Sequence, residues 1–333
     1  MNTILKDLQD PAALPEPTGS VTVVQTHISI VFVADAFVYK MKKPVNFGFL
    51  DFSTLEKRKY YCHREVELNS RLSRDLYLDV LPITLGETGH TLRETEGEAV
   101  DYAVKMKRIP DDRLMKSLFA RNEIAENHLK QIAEVVARFH SHAATSPEIG
   151  GFGAPERFKI NTDENFDQVS RYIGITIPER QFLSLKSWTE NFYQSNHSLF
   201  MERIAQGRIR DCHGDLHMEH ICLTEELPIF DCIEFNDRFR YSDTIADIAF
   251  LLMDLEYHGG FDLAETLWTY YKELAREEEA DALLLFYKVY RAFVRGKVHG
   301  FQVDDAAIGQ REKEKAVLTA RKYFELANSY IES

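Results

Sequence analysis

Long apolar runs are missing from this chain of 333 residues. Its longest, such as AFLLM from Ala249, fall far short of the roughly 20 residues a membrane-spanning helix needs, so no such helix is expected. The N-terminal stretch MNTILKDLQDPAALPEPTG lacks a basic flank followed by an apolar core, which argues against a secretory signal. Cysteine is scarce. Four residues without regular pairing, in a chain this long, suit a reducing compartment, and a cytoplasmic protein is expected. Positive charge is in deficit as well. A net charge of −13 repels nucleic acid and anionic membranes, so neither is expected as a partner. The same field opposes any nucleotide, and a nucleotide site here must bring its own cations or metal ions.

What is present suits a globular protein of two lobes. Hydrophobic residues at 44% and charged residues at 28% argue against disorder, and the length exceeds a minimal single core. Residues 1–19 contain Pro11, Pro15 and Pro17 and read as an extended tether. Three β-branched and aromatic runs follow, VTVVQTH, ISIVFVAD and AFVYKMKKP, and read as an antiparallel meander. STLEKRKYYCHREVELNSRLSRDL then reads as a helix with a capping box of Ser53 and Glu56. LPITLGETG and EAVDYAVKMKRI read as two more strands joined by a polar hairpin. Residues 20–108 are therefore expected to form a five-stranded antiparallel sheet plus one helix. From Asp111 onward the apolar spacing is helical, interrupted by the stretch from Asp211 and a short strand, PIFDCIEF. Residues 109–333 form a mostly helical lobe in this reading, and the fold class is α+β.

The stretch DCHGDLHMEHICL, Asp211–Leu223, concentrates candidate chemistry. As a zinc site its spacing is poor. His213 and His217 make one close pair, but no CxxC or HExxH completes it. A second reading pairs Asp215 with Asp231, sixteen residues later. Phosphoryl transfer needs one carboxylate to take or orient the proton of an attacking hydroxyl and another to hold Mg²⁺ against the phosphates. The two aspartates can equally be a turn residue and a strand end.

HGDLHMEH, Asp231 in IFDCIEF, and YSDTIADIA with Asp243 and Asp247 together resemble the catalytic segments of the aminoglycoside phosphotransferase and choline kinase family, a branch of the protein-kinase-like fold. The resemblance spans about residues 20–330. Within that family, THISIVF, KKPVNFGFLDFSTLEKR and FDCIEFNDRFRYSD look most like a bacterial subgroup of predicted small-molecule kinases. Some of its members carry an additional nucleotide-binding domain after this one. The resemblance implies a two-lobed protein-kinase-like fold with the nucleotide in the cleft between lobes. It implies ATP as the phosphoryl donor, Mg²⁺ as the metal with Mn²⁺ an alternative, and a hydroxyl of a small molecule as the acceptor. Asp215 would be the catalytic base and Asp231 the main metal ligand. Lys40 in FVYKMK would pair with the phosphates, held by Glu65 in CHREVELNSRL, with Glu67 its competitor on another helix face. Lys107, in DYAVKMKRIPDD, lies where the hinge beside the nucleotide would be. Asp247 would brace the catalytic loop near His213. Lys42 and Lys43 read as solvated strand lysines.

Two departures stand out. The family asparagine five residues after the catalytic aspartate is His220 here, a softer donor than an amide oxygen and a poorer partner for Mg²⁺. The segment between the first two strands, QTHIS, contains no glycine. These departures keep alive the alternative of a pseudokinase or a nucleotide-binding, partner-binding module; a protein kinase and a zinc protein are further rivals. The polar run Glu234, Asn236, Asp237, Arg238 and Arg240 offers acceptor contacts. Its acids would attract an amine and its arginines an anion, unless the run simply pairs internally.

Overall fold

Period-two alternation and helical periodicity build the two compact units seen in a computed structural model of the chain, which describes residues 2–87, 89–93, 96–305 and 308–332. One unit comprises Met1–Glu123 with Glu219–Asp237, the other Ile124–Met218 with Arg238–Ser333.

In the first unit, helix α1 (Asn2–Asp7) precedes strands β1 (Thr22–Gln25), β2 (Ser29–Val33) and β3 (Phe37–Lys42), then helix α2 (Leu55–Asn69). Strands β4 (Tyr77–Gly86), β5 (Gly89–Thr91) and β6 (Ala99–Lys107) and the short helix α3 (Met115–Ala120) follow. All ladders are antiparallel, and the order is β1-β2-β3-β6-β4-β5. The sheet thus has six strands rather than five, because the polar hairpin folds Gly89–Thr91 back onto the end of β4.

The N-terminal segment is not an extended tether. Leu8 and Leu14 are sealed from solvent and join Ile30, Phe32, Tyr39, Met41 and Ile83 in one core on a face of the sheet. Burying a leucine contributes about 1.5–3 kcal/mol, enough to offset the ordering of a few residues around it. Polar ties fix the segment. Asp7 accepts from the backbone and ring of His90, Leu92 N–H bonds Ala13 O, and the Tyr39 hydroxyl and Lys105 both bind Glu16. A second core, built on Cys62, Leu76, Tyr77 and Val104, packs α2 against the sheet.

The unit boundary departs from the break expected near Lys107–Asp112. Residues 219–237 return to the first unit because their backbone is bound there. Met115 N–H donates to Ile221 O, Leu223 N–H to Arg113 O, and the Ser73 hydroxyl to Ile229 O. PIFDCIEF is not a strand but a single bridge, Ile221 to Ile229, followed by Asp231 at φ +60°. A left-handed residue cannot continue a ladder. The α2 cap also shifts by one residue, to Thr54, whose hydroxyl accepts from Lys57 N–H.

The second unit is helical. It holds α4 (Glu126–His142), α5 (Pro155–Val169), α6 (Glu179–Ser195) and α7 (His197–Ala205), then α8 (Thr244–Tyr257), α9 (Phe261–Ala275), α10 (Asp281–Phe301) and α11 (Gln310–Glu332). A two-stranded ribbon, β7 (Ile209–Asp211) with β8 (Tyr241–Asp243), flanks the loop that carries Asp215. Helix α8 is apolar on nearly every side and buried from Thr244 to Leu255, as a central helix must be. Around it pack Phe166, Leu185, Val289, Phe293 and Phe324. Among the described residues no helix is long and apolar enough to cross a membrane.

Candidate active site

In the first unit, β3 presents Lys40 and Lys42 on one face, as alternation requires of residues two apart. Lys40 Nζ lies 2.9 Å from Glu65 Oε1 and 2.5 Å from Asp231 Oδ1. Lys42 Nζ lies 2.7 Å from Glu65 Oε2 and also binds Glu234. Glu65 therefore sits between two ammonium groups with 0% of its side chain exposed. Burial opposes its charge, but Lys40 and Lys42 outweigh it and hold its pKa below the ordinary carboxylate value. Burial likewise opposes the charge on Lys40, and Asp231 and Glu65 reverse that, keeping it protonated. Glu67 is exposed and pairs with Arg64 instead.

Asp231 is set by backbone. Its N–H donates to the Tyr77 hydroxyl at 3.1 Å, and the next N–H, of Cys232, donates to Asn69 Oδ1 at 2.9 Å. Its left-handed φ turns the carboxylate out of the chain's line, a strained geometry of the kind concentrated at functional sites. The side chain is 39% exposed. His220 Nε2 lies 3.6 Å from Asp231 Oδ2. Lys107 is exposed at the end of β6, and its N–H bonds Leu76 O.

In the second unit the HGD loop is held by one buried carboxylate. Asp247 Oδ2 accepts from His213 N–H at 2.9 Å and Oδ1 from Gly214 N–H at 2.8 Å. Gly214, at φ +84°, allows the two N–H groups to point at the same carboxylate, a conformation any side chain would strain. His140 Nε2 binds Asp247 Oδ2 at 3.1 Å, and its Nδ1 meets the Tyr271 hydroxyl at 2.8 Å. Arg291 donates to Gly214 O at 2.8 Å. Burial works against the charge on Asp247, but His140, His213 and Arg291 hold its pKa well below the usual range. The loop then exposes Asp215 in part, with its N–H on His213 Nδ1 at 3.3 Å and His217 Nε2 3.6 Å from Oδ2.

Sequence reasoning missed three partners. Lys42 is 1% exposed rather than solvated, and Glu234 is its buried counter-ion rather than an acceptor contact. The same alternation that selects Lys40 selects Lys42. Tyr77 carried no motif. Arg238 pairs with Glu164 and Arg240 with Asp211, so both arginines of the polar run after Asp231 are held by carboxylates from other segments. All four cysteines are buried and outside any disulfide, and burial pushes the Cys212 thiol well above its ordinary pKa.

The family model described as the phosphotransferase enzyme family matches residues 57–283. An uncharacterized protein of Mycobacterium tuberculosis is 34% identical over 279 residues, covering 84% of this chain and 54% of its own length, and one from Mycobacterium bovis matches to the same extent. The chain spans about half the length of these curated relatives. Among solved structures, a choline/ethanolamine kinase family protein from Mesorhizobium loti aligns over 98% of this chain and 99% of its own, with TM-score 0.53 and 15% identity. An amicoumacin kinase, solved in complex with AMP-PNP, Ca²⁺ and Ami, aligns over 96% and 93% with TM-score 0.53 and 13% identity. A type VIII aminoglycoside-3'-phosphotransferase aligns over 88% and 98% with TM-score 0.51 and 13% identity. These likenesses concern the fold, and the family match concerns the chain itself: it belongs to the phosphotransferase enzyme family, in a mixed α/β kinase-like fold.

Proposed function

We propose that the protein transfers the γ-phosphoryl group of ATP to a hydroxyl of a small molecule. The observation that carries this reading is the pairing of partly open Lys40 with buried Glu65 beside a partly exposed, backbone-anchored Asp231, in a chain of this family. The residues fit a metal–nucleotide. Asp231 offers a hard oxygen donor open to solvent, suited to Mg²⁺, and His220 stands beside it as a second, softer donor. Lys40 would direct its ammonium at the phosphates, with Glu65 fixing its position. Mg²⁺, when bound, neutralises charge on the phosphates as it develops.

Asp215 accepts the proton of the acceptor hydroxyl. The acceptor oxygen takes the phosphoryl group, and ADP leaves. His213 and Asp247 hold the loop so that the Asp215 carboxylate keeps its place without reorganisation. His213 is spent on that bracing and carries no proton in the reaction.

Thermal midpoints with ATP or GTP, with and without Mg²⁺ or Mn²⁺, test the nucleotide half, because a ligand that binds the folded state raises the midpoint. A metal-dependent rise in wild type that disappears in Asp231→Ala is expected. Asp215→Ala is expected to keep that rise and lose ADP release in an acceptor screen. A folded Asp215→Ala variant that loses both, or a wild type with no rise under any condition, overturns the assignment and favours a partner-binding pseudokinase.

A further inference from the structure

Helix α10 supports the loop that carries Asp215. Its Arg291 donates through a terminal nitrogen to Gly214 O at 2.8 Å and through Nε to Ala246 O at 3.0 Å. The residue before it, Tyr290, meets helix α5, its ring 5.0 Å from that of Phe158. Two turns further along that side of α10 stands Lys297, whose Nζ donates to Asn165 Oδ1 of α5 at 2.6 Å. The same helix supplies Glu164, which accepts from both terminal nitrogens of Arg238 at 2.9 and 2.6 Å. The Glu164 charge is felt by both Tyr290 and Lys297.

Lys297, Arg238 and Glu164 make a local excess of positive charge in a chain of net charge −13. Glu164 is taken up by Arg238. Lys297 is left with a neutral partner, and among the described residues no carboxylate pairs with it directly. Burial pushes its ammonium down to about 8, with Glu164 opposing the fall and Arg238 adding to it. A lysine that only had to be accommodated would carry its charge out to water. This one is held against an amide, at a desolvation cost that no counter-ion offsets. The cluster is nonetheless open. The Arg238 and Glu164 side chains are 24% and 45% exposed, and Lys297 and Tyr290 are partly exposed. The Tyr290 hydroxyl makes no hydrogen bond among the described residues. A compact ammonium and a phenol donor on residues open to solvent suit the oxygens of an anion, and the ammonium repels an amine.

We propose that Lys297 binds an anionic group, carboxylate or phosphate, on the acceptor whose hydroxyl Asp215 deprotonates, with the Tyr290 hydroxyl donating to the same group. Arg291, next to Tyr290, ties this site to the loop of Gly214 and Asp215, so one helix serves both ends of the acceptor. This rests on the phosphotransferase reading of Asp215 and narrows it to an acidic acceptor, so amino alcohols are poor substrates.

The test uses the full chain and hydroxyl compounds matched on two scaffolds. One set is glycerate, glycerol 3-phosphate, glycerol and serinol; the other is gluconate, 6-phosphogluconate, glucose and glucosamine. The first two of each separate carboxylate from phosphate. Thermal midpoints report binding and ADP release reports turnover. Anionic members are expected to raise the midpoint and support turnover. Lys297→Met should raise their KM about tenfold or more with kcat nearly unchanged, and Lys297→Arg should recover part of the loss. The midpoint of the free Lys297→Met protein should hold or rise, because a desolvated charge without a counter-ion is gone. If that variant does not fold, Tyr290→Phe carries the comparison through a several-fold rise in KM for the same anions. Preference for neutral or amine acceptors overturns the proposal, as does a set in which no anion raises the midpoint. So does an anion that binds through Lys297 and is not phosphorylated, or a Lys297→Met loss shared equally by charged and neutral acceptors. In each of those cases an intact Asp231-dependent nucleotide shift leaves the phosphotransferase reading standing; its absence removes that reading instead.

Discussion

Lys42 Nζ sits 2.7 Å from Glu65 Oε2, and neither side chain reaches solvent. Glu65 is the same carboxylate that Lys40 uses, so one glutamate on α2 serves two lysines of β3. The lysines differ in exposure, 1% for Lys42 and 15% for Lys40, and the difference separates structure from chemistry. Lys42 is a closed counter-ion for Glu65 and Glu234. Lys40 reaches the partly open Asp231.

Lys42→Met is expected to destabilise the protein by roughly 3–5 kcal/mol, since it leaves two buried carboxylates sharing one remaining ammonium. Lys40→Met should cost less, because Asp231 can be solvated, yet lower ADP release on the order of 10²-fold. Denaturant midpoints and initial rates for both variants check the pair. Equal stability losses, or full activity in folded Lys40→Met, would contradict this division of labour.

Asp247 makes a second stability prediction, with a definite sign. Its folded pKa lies below its unfolded value, which is about 3.9. The stability it contributes is therefore complete above about pH 4 and is lost as pH falls through the folded value. Asp247→Asn keeps one acceptor but turns a donor toward the loop N–H groups, a loss of roughly 1–3 kcal/mol. Denaturant midpoints measured from pH 7 to pH 3 should show a constant gap between wild type and variant down to about pH 5. Below pH 4 the gap should narrow steadily toward pH 3, closing only as pH falls through the folded value. A gap that stays constant through pH 3 would mean that the Asp247 charge does not brace the loop.

The brace itself was legible in the sequence. His213 and Asp247 are 34 residues apart in the chain, but the resemblance of HGD and YSDTIADIA to a known pair of motifs puts Asp247 beside His213, where its two oxygens accept backbone N–H groups. Lys42 was legible and was misread. Period two places it with Lys40, whereas the usual habit of lysine is to be solvated. Glu234 was not legible, because its partner lies on a distant strand and only the tertiary fold brings the two together. Asp231 looked like a strand residue because IFDCIEF is apolar on both sides; its left-handed φ depends on Tyr77 and Asn69 binding the local backbone. At the N-terminus, prolines argued for extension and hid what Leu8 and Leu14 do for the sheet.

His220 gives the last prediction. Its ring nitrogen stands 3.6 Å from Asp231 Oδ2, at the position where the resembling family has an amide. Mg²⁺ favours hard oxygen donors in a strict octahedron, while Mn²⁺ accepts imidazole more readily and binds nitrogen sites more tightly. With ATP present, wild type is therefore expected to gain a larger thermal shift and faster ADP release in Mn²⁺ than in Mg²⁺. His220→Asn should restore an amide oxygen and move the preference toward Mg²⁺. His220→Ala should weaken both metals while keeping the Asp231-dependent part of the shift. A wild type that responds equally to the two metals, with no change in His220→Asn, would show that the imidazole stays outside the metal's reach. His220 would then act on Asp231 only as a neighbouring donor.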